Sequence, residues 1–517
     1  MQRKVPQLLP LLLLLALTQP QPSAASTPPL SRPPTSAAVV PHHERNRAAA
    51  LASSAASGAS SATRRRHRAS LASWAAPRHT RAAAAPPFVV YPADFGADPT
   101  GLRDSTAAFA AAMAALLAHN TSGHSDEGGT VDLGGAMLDL EGGDYLVDAP
   151  LLVPSNYSNC AIAHGTLRAG AGFPPSRFLV EVGEPGAYCV NWGDSCNENI
   201  DLEDLLLDGS QVAAGCARFT AVIGVNAGPD IFCVNFTQVG IDIEAGHEVE
   251  LHESWIGSCW YTPPAACWLN ASALGATTGV LINGNDHLLS QVVVFAALVG
   301  VEVNGAANII SVTHTWNTQS GAVAAAVGMQ VNSWQNRIIS PYLDYVPFVC
   351  RGCAVTTVTG AFFLCAQAQF LPDPNGYPVS GVYFAGSEFA CLGDGESDFV
   401  ALPGAANYSG VQDVTIVGSL TDNPKSVKRS TTAQLTLSGP PSAWTFDFGG
   451  RLLFPAYAAP IRSVLYSVAA ADGTAAPFPH YAVVDGFSVR ITAGAGAPAD
   501  SNFSVTVAVD QSEHLSG

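Results

Sequence analysis

Short apolar segments, each preceded by glycine and followed by polar turn residues, recur along the middle of the chain. The segment Gly279-Val280-Leu281-Ile282 returns as Gly300-Val301-Glu302-Val303, and Asn-Gly follows each copy. Such short segments cannot bury an apolar face alone, so neighbouring copies must stack on one another. The pattern predicts an all-β fold, a parallel β-helix whose coils place alternate apolar side chains inside. Three further glycines open the same pattern: Gly240, Gly328 and Gly381.

A helix is predicted before the first coils. The segment from Phe88 to Gly101 reads as a strand and a turn-rich loop, and Asp104-Ser105-Thr106 can cap a helix that ends near His119. A helix laid over the open end of a stacked coil blocks edge-to-edge association, so we expect an N-terminal capping helix. Its apolar stripe contains Phe109, Met113, Leu116 and Leu117.

The chain divides into four parts by composition. Residues 1–25 have two basic residues, a leucine-rich run and small residues, which is typical of a signal peptide and too short to span a bilayer. Residues 26–85 are rich in Ala, Ser, Pro and Arg and are predicted to be disordered. Residues 86–430 form the predicted β-helix domain. Residues 432–512 alternate apolar and polar positions in short strands and predict a small β-sandwich.

Charge is unevenly distributed along the chain, and this distribution excludes some classes of function. The whole chain carries −18, but 11 of its 23 basic residues precede residue 86, against a single acid, Glu44. The remainder therefore has 12 basic and 40 acidic residues, a net charge of −28. This excludes a general nucleic-acid-binding protein and fits an exported protein working in mildly acidic surroundings.

The cysteines and glycosylation sequons agree with export. All eleven cysteines follow residue 159, which suggests several disulfides and one cysteine left over. Cys189 with Cys196, and Cys259 with Cys267, are spaced for local bridges. The pair Cys350 and Cys353 has no second pair at zinc-ligand spacing, so we predict no metal site there. Sequons occur at Asn120, Asn156, Asn235, Asn270, Asn407 and Asn502.

Two motifs carry a family resemblance. The segment DFGADPTGLRDSTAAFAAAMAAL is similar to the N-terminal segment of the pectin-lyase-like superfamily, which implies a right-handed parallel β-helix. The motifs GNDH, GAAN and HTWN, between residues 284 and 317, resemble plant Quartet-type polygalacturonases, divergent members of glycoside hydrolase family 28. The resemblance covers about residues 88–430. It implies a secreted hydrolase of galacturonate-rich pectin in the cell wall.

Hydrolysis of a glycosidic bond needs one carboxylic acid and one carboxylate. Asp242 resembles the last residue of the family's Asn-Thr-Asp-Gly-Ile-Asp motif, although Thr237-Gln238-Val239 replaces the first three. Asp286 and His287, which with Asp242 are catalytic candidates, follow the turn Asn283-Gly284-Asn285, but the family's adjacent aspartates are absent. The alternative is that Asp242 is a solvated surface residue and that Asp286 stabilises its own turn.

Four further residues complete the predicted site. His314 is a catalytic candidate and shares a strand face with Trp316. Arg337 stands where the family's Arg-Ile-Lys motif is expected, although the lysine is missing, and its planar guanidinium suits a uronate carboxylate. Asp344 is a further substrate-binding candidate.

We expect a monomer that binds acidic polysaccharide and uses no cofactor and no metal ion. We expect no nucleic-acid contact and, after signal cleavage, no membrane contact. Two alternatives stay open. A Ca²⁺-dependent pectate lyase would need a basic side chain, and no lysine lies between Lys4 and Lys425. A non-catalytic β-helix that binds cell-wall glycan is favoured by the missing family residues.

Overall fold

A computed structural model describes most of the chain from Phe88 onward. The predicted signal peptide and the segment 26–85 lie outside the described residues. Within the described part, no helix has the length and apolar character needed to cross a membrane. The described residues are 88–121, 130–186, 197–259, 275–317, 326–390, 399–402, 410–421, 428, 430–455, 459–470, 473–474, 476, 478–499 and 501–512.

The described chain consists of short strands, one 3-10 turn (Pro92–Phe95) and one α-helix, α1 (Thr106–Leu117). The first strands are β1 (Val89–Val90), β2 (Thr100–Asp104), β3 (Val131–Asp139), β4 (Asp144–Val147), β5 (Leu151–Val153), β6 (Tyr157–Ala169), β7 (Phe178–Val182), β8 (Asn197–Asp208), β9 (Gly215–Phe219), β10 (Val222–Ile223), β11 (Asn226–Ala227), β12 (Ile231–Val234), β13 (Val239–Ile243), β14 (Gly246–His247) and β15 (Glu250–Gly257). The coil continues with β16 (Thr278–Ile282), β17 (Leu288–Phe295), β18 (Val299–Val303), β19 (Ile309–Ser311), β20 (His314–Trp316), β21 (Val327–Val331), β22 (Arg337–Ile339), β23 (Tyr342–Asp344), β24 (Phe348–Arg351), β25 (Thr357–Thr359), β26 (Phe362–Leu364), β27 (Ala368–Leu371), β28 (Val379–Ala385), β29 (Glu388–Ala390), β30 (Val400–Ala401), β31 (Val411–Val417) and β32 (Leu420–Thr421). The last six are β33 (Thr432–Gly439), β34 (Ala443–Asp447), β35 (Ser463–Ala470), β36 (His480–Asp485), β37 (Ser488–Ala493) and β38 (Phe503–Asp510).

The coil has three sheet faces. Face A is a parallel sheet of ten strands in the order β5-β7-β9-β13-β16-β18-β21-β24-β27-β30. The other parallel sheet bends along its length: the first residues of β17 pair with β19, and its last residues pair with β20. We call the part that contains β19, β22 and β25 face B, and the part that contains β20, β23 and β26 face C. The fold is therefore a parallel β-helix, as the sequence pattern predicts.

The interior is built from stacked apolar side chains. Val280 is in register with Val301, and Val301 with Met329. All three are completely buried. Ile282 and Val303 form the adjacent stack and are equally buried. The predicted inward direction of alternate apolar residues is confirmed here.

Each coil turns from face A to face B through a corner in the left-handed backbone region. Asp286 has φ 63°, and the residues in equivalent positions of the next coils have similar values, namely Ala307, Gln335 and Val355. Two glycines allow these corners to approach closely, because a Cβ atom on Gly305 would collide with the carbonyl oxygen of Gly284.

Two asparagine ladders hold successive corners in register. On the outside, Asn304 donates to Asn283 at 2.9 Å, and Asn332 donates to Asn304 at 2.8 Å. On the inside, the backbone N–H of Asn308 donates to Asn336 Oδ1 at 3.0 Å. Each side-chain amide therefore pairs with the coil beside it, which compensates for the burial of the inner polar groups.

Helix α1 packs its apolar side on the first coils. Phe109, Met113 and Leu116 are buried and belong to the same apolar cluster as the coil interior. The N–H of Thr106 donates to Asp104 Oδ1 at 3.0 Å, which satisfies one of the free donors at the start of the helix. The helix ends at Leu117, two residues before the predicted end.

The C-terminal region contains two three-stranded antiparallel sheets, β33-β38-β35 and β34-β37-β36. Buried residues of both sheets share one apolar cluster, which includes Phe446, Ile491 and Val507. Phe454 instead joins the cluster of the coil, where its ring lies 5.6 Å from that of Phe370. Phe454, in the segment between β34 and β35, therefore packs that segment against the last coils.

Six of the seven described cysteines are disulfide-bonded, as export predicts. Cys216 pairs with Cys233, and Cys350 pairs with Cys353. Cys259 is also disulfide-bonded, whereas Cys189, Cys196 and Cys267 lie outside the described residues. Among the described residues Cys160 is a free, buried thiol.

Candidate functional site

The predicted site residues do not converge on one groove. Asp242 lies in β13 on face A, and Arg337 lies in β22 on face B. His314 lies in β20 on face C, with Trp316 and Asp344 beside it. Asp286 occupies the corner between faces A and B. The sequence therefore identified polar groups on three different surfaces of the coil.

Asp242 lies on the outer surface of face A, because its neighbours Ile241 and Ile243 point into the core. It is only 5% exposed. Its Oδ2 accepts a hydrogen bond from Arg218 Nε at 3.1 Å. Its Oδ1 is shielded from solvent and has no hydrogen-bond partner in the part of the chain that the structure describes. Asp242 is thus a buried carboxyl group with one oxygen that is unpaired within the described residues.

Burial raises the pKa of Asp242 above the ordinary value of an aspartate. Arg218 opposes this shift because its positive charge favours the carboxylate, and Glu244 adds to it because like charges repel. A carboxyl group whose pKa is raised keeps its proton to a higher pH than an ordinary aspartate does. Asp242 is therefore suited to the role of a general acid.

Glu244 provides a second carboxylate on the same surface, two residues after Asp242. Its Oε2 accepts a hydrogen bond from Thr220 at 2.8 Å and lies 3.9 Å from Arg218 Nε. Arg218 Nε is also 3.1 Å from Asp242 Oδ2, so these two carboxylate oxygens are at most about 7 Å apart. That spacing is within the reach of the paired carboxylates of glycosidases.

Arg218 lies between the two carboxylates and also contacts the ring of Phe178. Its guanidinium lies 4.3 Å from the ring centroid of Phe178, a cation–π arrangement. The preceding acid in the same register, Glu181, is bound by Arg177 rather than by Arg218. Arg218 is one-fifth exposed, at 21%, so it can present N–H groups to an acidic ligand.

Glu244 was not among the residues predicted from the sequence, although two signals were available. It follows Asp242 at the two-residue period of a strand. It also lies 24 residues after Thr220, the same interval that separates Arg218 from Asp242. In each pair, Thr220 with Glu244 and Arg218 with Asp242, the two residues therefore occupy equivalent positions of adjacent coils. This equivalence is visible only once the coil is known to span 24 residues.

Asp286 is a corner residue. Its carboxylate is half exposed and lies 3.2 Å from His247 Nδ1. The left-handed conformation at this position is shared by every neighbouring coil, irrespective of the side chain. The turn interpretation therefore accounts for the backbone of Asp286, and its catalytic role stays a prediction.

His287 lies inside the coil and is 1% exposed. Its ring Nδ1 accepts a hydrogen bond from the backbone N–H of Val249 at 3.0 Å, and the backbone N–H of His287 donates to Asn308 Oδ1 at 2.9 Å. His287 is thus the first member of the inner ladder that Asn308 and Asn336 continue. A polysaccharide cannot reach it, so the predicted catalytic role of His287 is corrected to a structural one.

The environment of His287 predicts a pH-dependent stability. Burial lowers its pKa from 6.5 to about 3, so the unfolded chain binds a proton that the folded chain does not. The contribution of the neutral ring is fully present above pH 6.5 and is lost as the pH falls from 6.5 toward 3. At about 1.4 kcal/mol per pKa unit, this loss amounts to about 2–3 kcal/mol at pH 4.5.

His287→Asn is expected to reduce this acid sensitivity, because asparagine can accept the same hydrogen bond and does not titrate. The midpoint of thermal unfolding of both proteins at pH 7 and pH 4.5 measures the effect. An equal fall in the two midpoints would show that His287 does not control it.

Face C brings three predicted residues together. His314 Nε2 lies 3.7 Å from Asp344 Oδ2, and the rings of His314 and Tyr342 stack at 4.1 Å. Trp316 is in register with Asp344. Only one carboxylate is present in this group, so it lacks the pair that glycoside hydrolysis requires. Arg337 is exposed on face B between Ile309 and Thr357.

No group of three or more potential metal ligands occurs among the described residues. Of the predicted glycosylation sites, Asn120, Asn156 and Asn502 are exposed, and Asn270 and Asn407 lie outside the described residues. Asn235 is 6% exposed, and its amide donates to Asp208 at 2.8 Å. The prediction for Asn235 is therefore wrong, since a glycan has no room there.

Comparison with known proteins identifies the family. Over 448 residues the chain is 30% identical to polygalacturonase QRT3 of Arabidopsis thaliana, a match that spans 85% of this chain and 88% of that protein. The chain belongs to the QRT3-type polygalacturonase family. This confirms the family resemblance found in the sequence motifs. No model in the family scan matches the chain.

Solved structures similar to this member of the QRT3-type family share little sequence with it. ORF18 of Geobacillus virus E2 gives a TM-score of 0.48 at 12% identity, over 83% of this chain and 78% of that chain. The A-module of mannuronan C-5 epimerase AlgE6 of Azotobacter vinelandii gives 0.41 at 13% identity, over 65% of this chain and 100% of that chain. Because both scores are below 0.5, the fold assignment depends on the observed strand pairing.

Proposed function

We propose that this protein is a secreted hydrolase of galacturonate-rich polysaccharide. One observation supports this above all: a buried carboxyl with a raised pKa, Asp242, lies beside a second carboxylate, Glu244, with Arg218 between them. Membership of a polygalacturonase family supports the substrate class. The signal-like N-terminus and the disulfides support secretion.

In this proposal protonated Asp242 gives its proton to the glycosidic oxygen of the leaving sugar. Glu244 then acts as the carboxylate that activates water or attacks the sugar carbon. When Asp242 carries a proton, it no longer compensates the charge of Arg218. The guanidinium can then bind the carboxylate of a galacturonate unit through two parallel N–H groups.

Product analysis on polygalacturonate tests this function. We expect new reducing ends on saturated sugars, activity that persists in a chelator, and a fall in activity as the pH rises through the raised pKa of Asp242. The direction follows from the sign of the shift, because deprotonation removes the acid. Chelator-sensitive formation of unsaturated ends that absorb in the ultraviolet would favour the lyase instead.

Glycan binding without cleavage is the second candidate. It is favoured by the low exposure of Asp242, 5%, and by the replacement of the family's Asn-Thr-Asp with Thr237-Gln238-Val239. Binding of polygalacturonate with no new reducing ends, at any pH from 4 to 7, would establish this candidate and exclude the hydrolase.

A further inference from the structure

A row of partly exposed rings follows the outer surface of face C along the axis of the coil. Strand register aligns one residue from each of six successive coils. Their neighbours in the strands, such as Ile256 and Leu343, point into the core. We call these six residues the aromatic row: Phe232, Trp255, Val293, His314, Tyr342 and Phe362.

The rings of the aromatic row form two stacked groups. Phe232 lies parallel to Trp255 with ring centroids 6.3 Å apart. His314 stacks on Tyr342 at 4.1 Å, and Tyr342 meets Phe362 edge-on at 4.8 Å. These contacts hold the rings in fixed orientations along the surface, so little conformational entropy is lost when a ligand binds to them.

The gap in the row at Val293 is bordered by a further ring. Phe295, two residues later on the same strand, lies 6.5 Å from Trp255 but is only 3% exposed, so it lies beside the row without adding to its exposed surface. Trp255 itself is 37% exposed. The row therefore extends over five strand spacings, about 24 Å.

A polar gap lies at the centre of this surface. His314 Nε2 and Asp344 Oδ2 are 3.7 Å apart, which is too far for a hydrogen bond. Within the described ranges, His314 Nε2 and Asp344 Oδ1 have no hydrogen-bond partner although both atoms are shielded from solvent. Buried polar atoms are normally paired.

The charge of this surface indicates which ligand it suits. The aromatic row contains no lysine or arginine, and the register continues from Phe362 to the exposed acid Glu388. Asp344 adds a second acid beside His314. A polymer that carries a carboxylate on each sugar would be repelled here. An uncharged sugar chain would not be, because the C–H faces of its rings pack on aromatic faces.

We propose that the aromatic row is a binding surface for an uncharged linear polysaccharide that lies along the coil axis. One ring position is available every 4.8 Å or so, which is close to the advance of one sugar unit in an extended chain. The surface lies on face C, whereas Asp242 lies on face A. The proposal therefore does not depend on the proposed hydrolysis.

Calorimetric binding of uncharged hexasaccharides tests the proposal. The probes are the β-1,4-linked hexamers of glucose, xylose and mannose and the fully methyl-esterified hexamer of galacturonate, with the unesterified hexamer as the charged counterpart. We expect at least one uncharged probe to bind, with an affinity that changes little between 50 and 500 mM NaCl. Absence of binding by all the uncharged probes would overturn the proposal.

Variants locate the binding on the aromatic row. Trp255→Ala and Tyr342→Ala should each weaken binding by about tenfold, the scale of one ring-stacking contact. Trp255→Phe should retain most of it, which separates loss of a ring from loss of folding. The control is Trp334→Ala, since Trp334 is 57% exposed but lies at the corner between faces A and B, outside the row.

Three outcomes would contradict the assignment. Trp334→Ala could weaken binding as much as Trp255→Ala, which would place the site elsewhere. Trp255→Ala could leave the affinity unchanged while the unfolding midpoint is also unchanged. Light scattering could show a dimer that Trp255→Ala dissociates, which would make the row a contact between two copies of the chain.

Discussion

Asp242→Asn is expected to lower kcat on polygalacturonate by about 10²–10⁴-fold, the usual contribution of a general acid. The amide preserves the shape of the side chain and can still accept from Arg218, but it has no proton to give to the leaving oxygen. KM should change little, because the substrate carboxylate is expected to bind Arg218. Reducing-end assays over a range of substrate concentrations separate the two constants.

Asp286→Asn is the matched control for this experiment. It makes the same chemical change at a corner residue whose backbone conformation is shared by neighbouring coils. We expect kcat within about twofold of the unchanged protein, since a surface substitution of this kind has small effects. Full loss of activity in Asp286→Asn, with activity retained in Asp242→Asn, would move the site to the corner.

Val301→Asp is expected to destabilise the coil by about 3–5 kcal/mol, because it introduces an unpaired charge into the core. Val301 is completely buried between Val280 and Met329. Chemical unfolding at pH 7 measures the loss. The matched control is Val299→Asp in the same strand, where the side chain is partly exposed and the aspartate can reach water. Equal effects of the two variants would contradict the inward direction of Val301.

The stacking of the coils was predictable because every second side chain of a strand is buried, which leaves a repeated apolar pattern in the sequence. The repeats at Val280 and Val301 are visible in the sequence, and the structure places both inside. The direction of His287 was harder to predict, because histidine is polar and follows two exposed turn residues, Asn285 and Asp286, that interrupt the alternation. In the structure His287 points inward like Leu289, two residues later in the chain.

Which residues form the candidate site could not be predicted, because the sequence does not show the length of each coil. Arg218, Asp242 and Glu244 come together because one coil spans 24 residues, whereas the next coils differ in length. Without the coil lengths, no register between distant residues can be calculated. For the same reason the Cys216–Cys233 disulfide was not predicted, while the presence of several disulfides was.

The asparagine ladders also bear on how such a chain can lengthen during evolution. Asn283, Asn304 and Asn332 are separated by 21 and 28 residues, yet each keeps the same place one residue after its face A strand. The seven additional residues fall between Trp316 and Val327, where the chain passes from face C to face A. Insertions at the ladder corner would break a hydrogen bond in two neighbouring coils at once. In these coils the additional residues are therefore accommodated at the passage from face C to face A, while the ladder corner keeps its length.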